Sequence, residues 1–175
     1  AVAFAINFAN KGLDIWLAPH LERQALPTAA RLAAMATFAG KIIGDVLNMR
    51  ASARLGRLRM LQASFWACAV LAASLAALST TPLLVAAAFG VGCFSDVIWC
   101  NLYMLLAESF PTAIRSTAFG LVLGLGRSGA VLSAALGGAV QRIETAFLLY
   151  AASFALGGVL VSFYGAETSH RALPD

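Results

Sequence analysis

The stretch LLVAAAFGVGCFSDVIWCNLYMLLAES, Leu83–Ser109, carries a single charge, Asp96, until Glu108 near its end, and Phe110-Pro111-Thr112 closes it. A transmembrane helix needs about 20 consecutive, mainly apolar residues, so the stretch reads as a membrane span. Backbone groups in hydrocarbon must be paired within their own segment, and nothing in the run alternates as a barrel strand does. The whole chain has the same character: of its 175 residues, 61% are hydrophobic and 11% are charged. Soluble domains run at about 45–50% apolar and about 25% charged, and a soluble globule of this size could not bury the excess. The composition also excludes disordered and collagen-like chains, and three cysteines are too few for a disulfide scaffold.

Outward from that stretch, breakers and charges delimit five more apolar segments: about 1–17, 28–49, 61–78, 116–138 and 146–164. The expected fold is an all-α membrane protein of six transmembrane helices. No basic segment precedes the first apolar run, which therefore does not read as a signal peptide. The chain starts inside a hydrophobic stretch, which suggests a fragment. Arg50, Arg54, Arg57, Arg59, Arg115 and Arg171 fall on one side of the membrane, and Arg23, Arg142 and Arg31 on the other. The positive-inside rule then makes the 50–59 connection, the 110–115 turn and both termini cytoplasmic. The net charge of +4 is explained by this loop bias, so no nucleic-acid partner is expected.

Charges inside the spans mark where function is expected, because each costs roughly 2.5–3.5 kcal/mol to insert at the bilayer centre. Asp96 and Arg127 are both near mid-span. Either they form a permanent ion pair that sets helix packing, or they line a wet cavity, with Asp96 exchanging a proton and Arg127 holding an anion. Asn7, Lys11 and Asp14 share one face of the first helix, with Asn10 on its flank; the stripe either faces a cavity or is a local Lys11–Asp14 pair. Lys41 and Asp45, one turn apart, suit structural pairing and cavity lining equally. Trp99 is one helical step from Asp96. Gly120-x-x-x-Gly124 reads as a close-packing face, and Gly90 and Gly92 read likewise. Cys68, Cys93 and Cys100 read as small buried hydrophobes, and no spacing suggests a metal or cofactor. Gly126-Arg-Ser128-Gly129 fits the nucleophile pattern of rhomboid-type proteases, but His20 in an outer connection and His170 in the tail are too far to serve it. No enzyme activity is expected.

The echo of Asp14-Ile-Trp16 in Asp96-Val-Ile-Trp99 suggests inverted three-helix repeats at about 1–79 and 80–175. Interfacial tryptophans are common enough that the echo alone does not decide the matter.

Glu108-Ser-Phe110-Pro111-Thr112-Ala-Ile-Arg115-Ser-Thr-Ala-Phe-Gly120 resembles the E-x-[FY]-P-T-x-x-R-x-x-x-x-G signature between helices ten and eleven of major facilitator superfamily transporters. The sugar-porter, organic-ion and aromatic-acid/proton symporter branches are the most similar. Trp16-Leu17-Ala18-Pro19 looks like the end of helix seven in these branches. Arg54-Leu55-Gly56-Arg57 looks like the end of the helix eight–nine signature, although Met49, Ala53 and Leu58 replace its glycine, aspartate and last arginine. Gly124-Leu-Gly126-Arg127-Ser-Gly129 is similar to the helix-eleven stretch in which an arginine holds anionic substrates. The resemblance implies the C-terminal half of a twelve-helix carrier whose N-terminal six helices are missing. It further implies a proton symporter for a small organic anion in the plasma (inner) membrane. Substrate contacts would come from Arg127, Asn7, Lys11 and Trp99, and proton coupling from Asp96 and Asp14. The alternative is a non-transporting six-helix protein, an assembly partner or truncated paralogue.

Overall fold

The computed structural model describes residues 1–23, 27–78, 80–140 and 142–164, so His170 and Arg171 lie outside the described residues. Among the described residues six helices follow in order: α1 (Val2–Arg23), α2 (Pro27–Leu55), α3 (Arg57–Ala77), α4 (Thr81–Ser109), α5 (Arg115–Ala139) and α6 (Ile143–Tyr164). Five of them, α2 to α6, are long and apolar enough to cross a membrane. At 22 residues α1 has the length, but Asn7, Asn10, Lys11 and Asp14 dilute its apolar character. It is sheltered by its neighbours α5, α6 and α2, and Ile6, Ala9, Leu13 and Leu21 are buried among them.

Two boundaries differ from the sequence reading. The first helix does not stop at Leu17 but continues through Pro19 to Arg23. A proline inside a helix removes the bond to the carbonyl four residues back, here Ile15. The turn beyond it is held by packing: Leu21 is buried, and the His20 ring stands edge-on to Phe147 at 5.0 Å. His20 is therefore part of the bundle and not of an outer connection. The second helix runs past Met49 to Leu55, so Arg50 and Arg54 are helical. It ends at Gly56, whose φ of 88° lies in the region that favours glycine and turns the chain into α3.

The largest interfaces set α2 against α4, α1 against α5, and α3 against α6; α3 also lies along α4 and α6 along α1. Phe65, Phe147, Tyr150 and Phe154 fill the space among α1, α3 and α6 and are almost fully buried. In lipid, helices associate through close packing and interhelical hydrogen bonds rather than through exclusion of water. Glycines therefore decide how near the backbones come. A Cβ at Gly92 would sit 2.1 Å from the Thr37 carbonyl oxygen, one at Gly40 2.2 Å from that of Phe89, and one at Gly44 2.3 Å from that of Cys93. Asn101 adds a bond across the same interface, its Nδ2 donating to Asn48 Oδ1 at 2.8 Å. The α1–α5 crossing works alike through Gly126 and Gly129, where added Cβ atoms would meet Ala3 and the Phe4 carbonyl. Gly120 and Gly124 do not act as expected: no atom lies within 4 Å of a Cβ built on either. Gly40-x-x-x-Gly44 is a small-x-x-x-small pair that does pack within this bundle.

Apolar side chains left uncovered form stripes on the outer helix faces, Met35, Phe38, Ile42 and Val46 on α2 and Leu121 and Leu125 on α5 among them. Exposed apolar area of this extent belongs against lipid or another apolar partner.

Candidate functional site

The charged residues that are costly in a membrane converge at one depth. Lys41 and Arg127 are the middle residues of α2 and α5, and Lys11 and Asp96 lie within two residues of the middle of α1 and α4. Together with Asn7, Asn10, Trp99, Cys100, Tyr103 and Leu123 they line a cavity of about 380 Å³. The lining follows helical spacing. Asp96, Trp99, Cys100 and Tyr103 are one face of α4, Asn7, Asn10 and Lys11 one face of α1, and Leu123 and Arg127 one face of α5.

The polarity of the cavity is uneven. Lys41 Nζ lies 3.0 and 3.2 Å from the two carboxylate oxygens of Asp14, and Lys11 Nζ lies 3.4 Å from Asp14 Oδ2. One carboxylate thus serves two lysines from two helices, beside a smaller cavity of about 190 Å³ that also contains Thr37 and Phe38. Lys41 is also 5.4 Å from the centroid of the Phe38 ring. Among the described residues Arg127 forms no ion pair with a carboxylate, Asp96 included. The guanidinium therefore remains available on the cavity wall. Asp45 of α2 turns to α4, where its Oδ1 accepts a bond from Cys100 Sγ at 3.0 Å.

The lining also carries aromatic rings. Trp99 and Tyr103 lie 5.4 Å apart between ring centroids, and Tyr103 stacks on Phe119 of α5 at 5.9 Å. A chamber lined by both a guanidinium and aromatic faces can hold a small, flat anion: the guanidinium takes a carboxylate in two parallel hydrogen bonds, and the rings take its apolar body.

The four substrate residues named from the sequence, Arg127, Asn7, Lys11 and Trp99, are brought into this cavity along with Asp96. Asp14 is not on its wall and acts one layer behind it. The Lys41–Asp45 couple reads differently in three dimensions, because Lys41 turns to Asp14 on α1 and Asp45 turns to α4. Cys100 is a polar participant and not an inert buried hydrophobe. Tyr103 and Leu123 were not singled out, yet both were within reach of the sequence: Tyr103 is two turns from Asp96 and Leu123 one turn from Arg127.

A second group of residues lies at the far ends of these helices. Glu108 at the end of α4 is ion-paired with Arg57 at the start of α3, beside the Gly56 break. The following turn closes with Ile114 N donating to Pro111 O at 3.2 Å, with Thr112 between them. Arg115 Nε donates to Phe110 O at 3.2 Å and fixes the entry of α5. Arg54 and Gly120 are exposed on either side. This cluster ties the α2–α3 connection to the α4–α5 connection. Ser128 is committed to its own helix, donating to Leu125 O at 2.6 Å. Among the described residues there is no cluster of metal-ligating side chains.

No curated protein matches the chain in a search of such proteins. The family model described as Major Facilitator Superfamily matches residues 1–174. With long apolar helices around a polar chamber, the chain is an integral membrane protein that belongs to the major facilitator superfamily of small-molecule transporters.

Proposed function

We propose that the chain is the C-terminal six-helix half of a secondary carrier that symports a small organic anion, such as an aromatic carboxylate, with protons by alternating access. The observation that carries this reading is Arg127. It is a guanidinium at the middle of α5, without an ion-pair partner among the described residues, on the wall of a cavity that Trp99 and Tyr103 also line. An uncompensated charge at that depth is retained where a ligand compensates it. Asn7 and Lys11 add donors to the same chamber, Asp96 is the proton-coupling acid, and Asp14 tunes the two lysines.

The helix pairing supports two three-helix units, about 1–79 and 80–175. Exchanging α1 with α4, α2 with α5 and α3 with α6 turns the α1–α5 interface into α4–α2 and the α3–α4 interface into α6–α1, and both members of each couple occur. In this reading α1 is a sixth span, tolerated because its polar face lines the chamber. The open apolar faces of α2 and α5 receive the N-terminal half, so that substrate binds between halves. The Arg57–Glu108 cluster is cytoplasmic, as are both ends of the segment, and the carrier resides in the plasma (inner) membrane.

The reading is tested by reconstituting the full-length carrier in liposomes and offering labelled carboxylates, sugars and amines with and without an inward proton gradient. Accumulation of carboxylates driven by the gradient is expected. Gradient-independent uptake of sugars or amines alone would refute it.

A further inference from the structure

All four asparagines of the chain are buried, and three of them spend their side chains on the bundle. Asn7 Nδ2 donates to Ala3 O at 2.8 Å, and Asn101 Nδ2 donates to Val97 O and to Asn48 Oδ1, both at 2.8 Å. Asn10 does not. It is only 3% exposed and lines the chamber, and among the described residues its amide has no hydrogen-bond partner. We propose that Asn10 is a specificity-determining residue: its amide pairs with a neutral group, at the end of the substrate remote from the carboxylate, that both donates and accepts hydrogen bonds. A carboxamide is the closest fit. The inference rests on the organic-anion reading above and adds a second recognition point to it, on a residue to which that reading gives no part.

Charge makes the second group neutral. Lys11 and Lys41 both have Asp14 as a partner, whereas Arg127 has no carboxylate among the described residues. The lining thus offers one guanidinium to one carboxylate, and what Asn10 adds is an uncharged amide. A carboxylate only accepts and an ammonium only donates, so either would leave half of that amide unpaired. Position puts the group at the far end. Added Cβ atoms at Gly126, Gly129 and Gly137 would meet Ala3, Phe4 and Trp16 in turn, so α1 and α5 run in the same direction. Arg127 is therefore rooted about level with Phe4, and Asn10 lies six residues further along α1, roughly 9 Å at a rise of 1.5 Å per residue. A ligand with its carboxylate on Arg127 presents its opposite end to Asn10, and a ring between the two has Trp99 and Tyr103 of the same lining to pack on. An asparagine amide carries an acceptor and donors side by side in one plane, and a carboxamide answers both at once. Once a ligand displaces water from the chamber, an amide that no protein group pairs must be paired by the ligand or lose its hydrogen bonds. A site of this kind rejects an analogue that lacks the matching group.

The test is uptake by the full-length carrier in liposomes under an inward proton gradient, offering 4-carbamoylbenzoate and 4-acetylbenzoate. The two have nearly the same shape, but the first carries a donating NH2 where the second carries a methyl group. The readout is the ratio of their uptake rates at limiting concentration, which the amount of folded carrier does not change. The wild-type carrier is expected to favour 4-carbamoylbenzoate roughly 5- to 100-fold. Asn10→Leu, and Asn10→Ala, which removes the amide without adding bulk, are each expected to bring the ratio close to unity. A wild-type ratio near unity, or a preference that survives undiminished in either variant, would overturn the proposal. Uptake of 2-carbamoylbenzoate as fast as that of the 4-isomer would overturn the placement at the far end. A wild-type carrier that takes up neither acid, nor benzoate, would overturn the organic-anion reading itself, whereas one that takes up both acids alike overturns the role of Asn10 alone.

Discussion

Gly92→Ala probes the α2–α4 interface that positions Lys41 and Asp45 against α1 and α4. The new Cβ would sit 2.1 Å from the Thr37 carbonyl oxygen, and 2.9 Å from both the Thr37 carbonyl carbon and Cα. Those are backbone atoms of a helix and cannot rotate aside. Bringing the contact out to even 3.0 Å, itself tighter than ordinary packing, needs a separation of the helices of about 1 Å. The Thr37 Oγ1 bond to Ala88 O, already 3.4 Å, would break, and the 2.8 Å Asn101–Asn48 bond would stretch beyond hydrogen-bonding distance. Overpacking of this kind costs about 1–3 kcal/mol, and lost interhelical bonds in membranes about 0.6 kcal/mol each. Against this, alanine gains about 1 kcal/mol of helix propensity over glycine. The net loss is on the order of 1–3 kcal/mol, which at 2–4 °C per kcal/mol corresponds to a fall in melting temperature of roughly 2–12 °C. The assay is thermal unfolding of the purified carrier in detergent followed by size exclusion. Gly138→Ala is the control, since its nearest neighbour, the Trp16 ring, is at an ordinary 3.4 Å, and it is expected to melt at the wild-type temperature or slightly above. A Gly92→Ala protein as stable as the wild type, or a control that falls equally, would refute the reasoning.

Further outcomes follow from the ion pairs. Lys41→Met removes the better of the two lysine contacts to Asp14 and leaves Lys11 at 3.4 Å; the apparent affinity for carboxylates is expected to weaken several-fold, read as KM in uptake assays, with expression unchanged. Arg57→Ala and Glu108→Gln are each expected to cost no more than about 1 kcal/mol in unfolding, because the pair is partly exposed. A double-mutant cycle on transport rate is expected to show the two acting as one unit, and strict additivity would contradict their pairing.

Five of the six expected spans were legible because bilayer thickness dictates their length, and the mid-helix charges because their insertion cost makes them conspicuous. Pro19 misled because a breaker rule takes no account of the packing that holds His20 and Leu21 beyond it. Spacing put Lys41 beside Asp45, but which carboxylate is nearer depends on helix rotation, and α2 turns Lys41 to Asp14. The same limit explains the glycines: the patterns at Gly40 and Gly120 look alike along the chain, and only the bundle shows that one meets the Phe89 backbone while the other meets nothing within 4 Å. The cavity wall of Asp96, Trp99, Cys100 and Tyr103 was readable by extending helical spacing from a single costly acid.

The central claim is that Arg127 holds an anionic substrate in a chamber that also takes up a proton. The most direct measurement is the initial rate of labelled benzoate uptake into liposomes carrying the full-length protein under an inward proton gradient, wild type against Arg127→Ala. A charge-assisted bond to a carboxylate is worth about 1.5–3 kcal/mol, so uptake at limiting benzoate is expected to fall roughly 10- to 150-fold with the melting temperature unchanged. Uptake that persists at the wild-type rate would contradict the account.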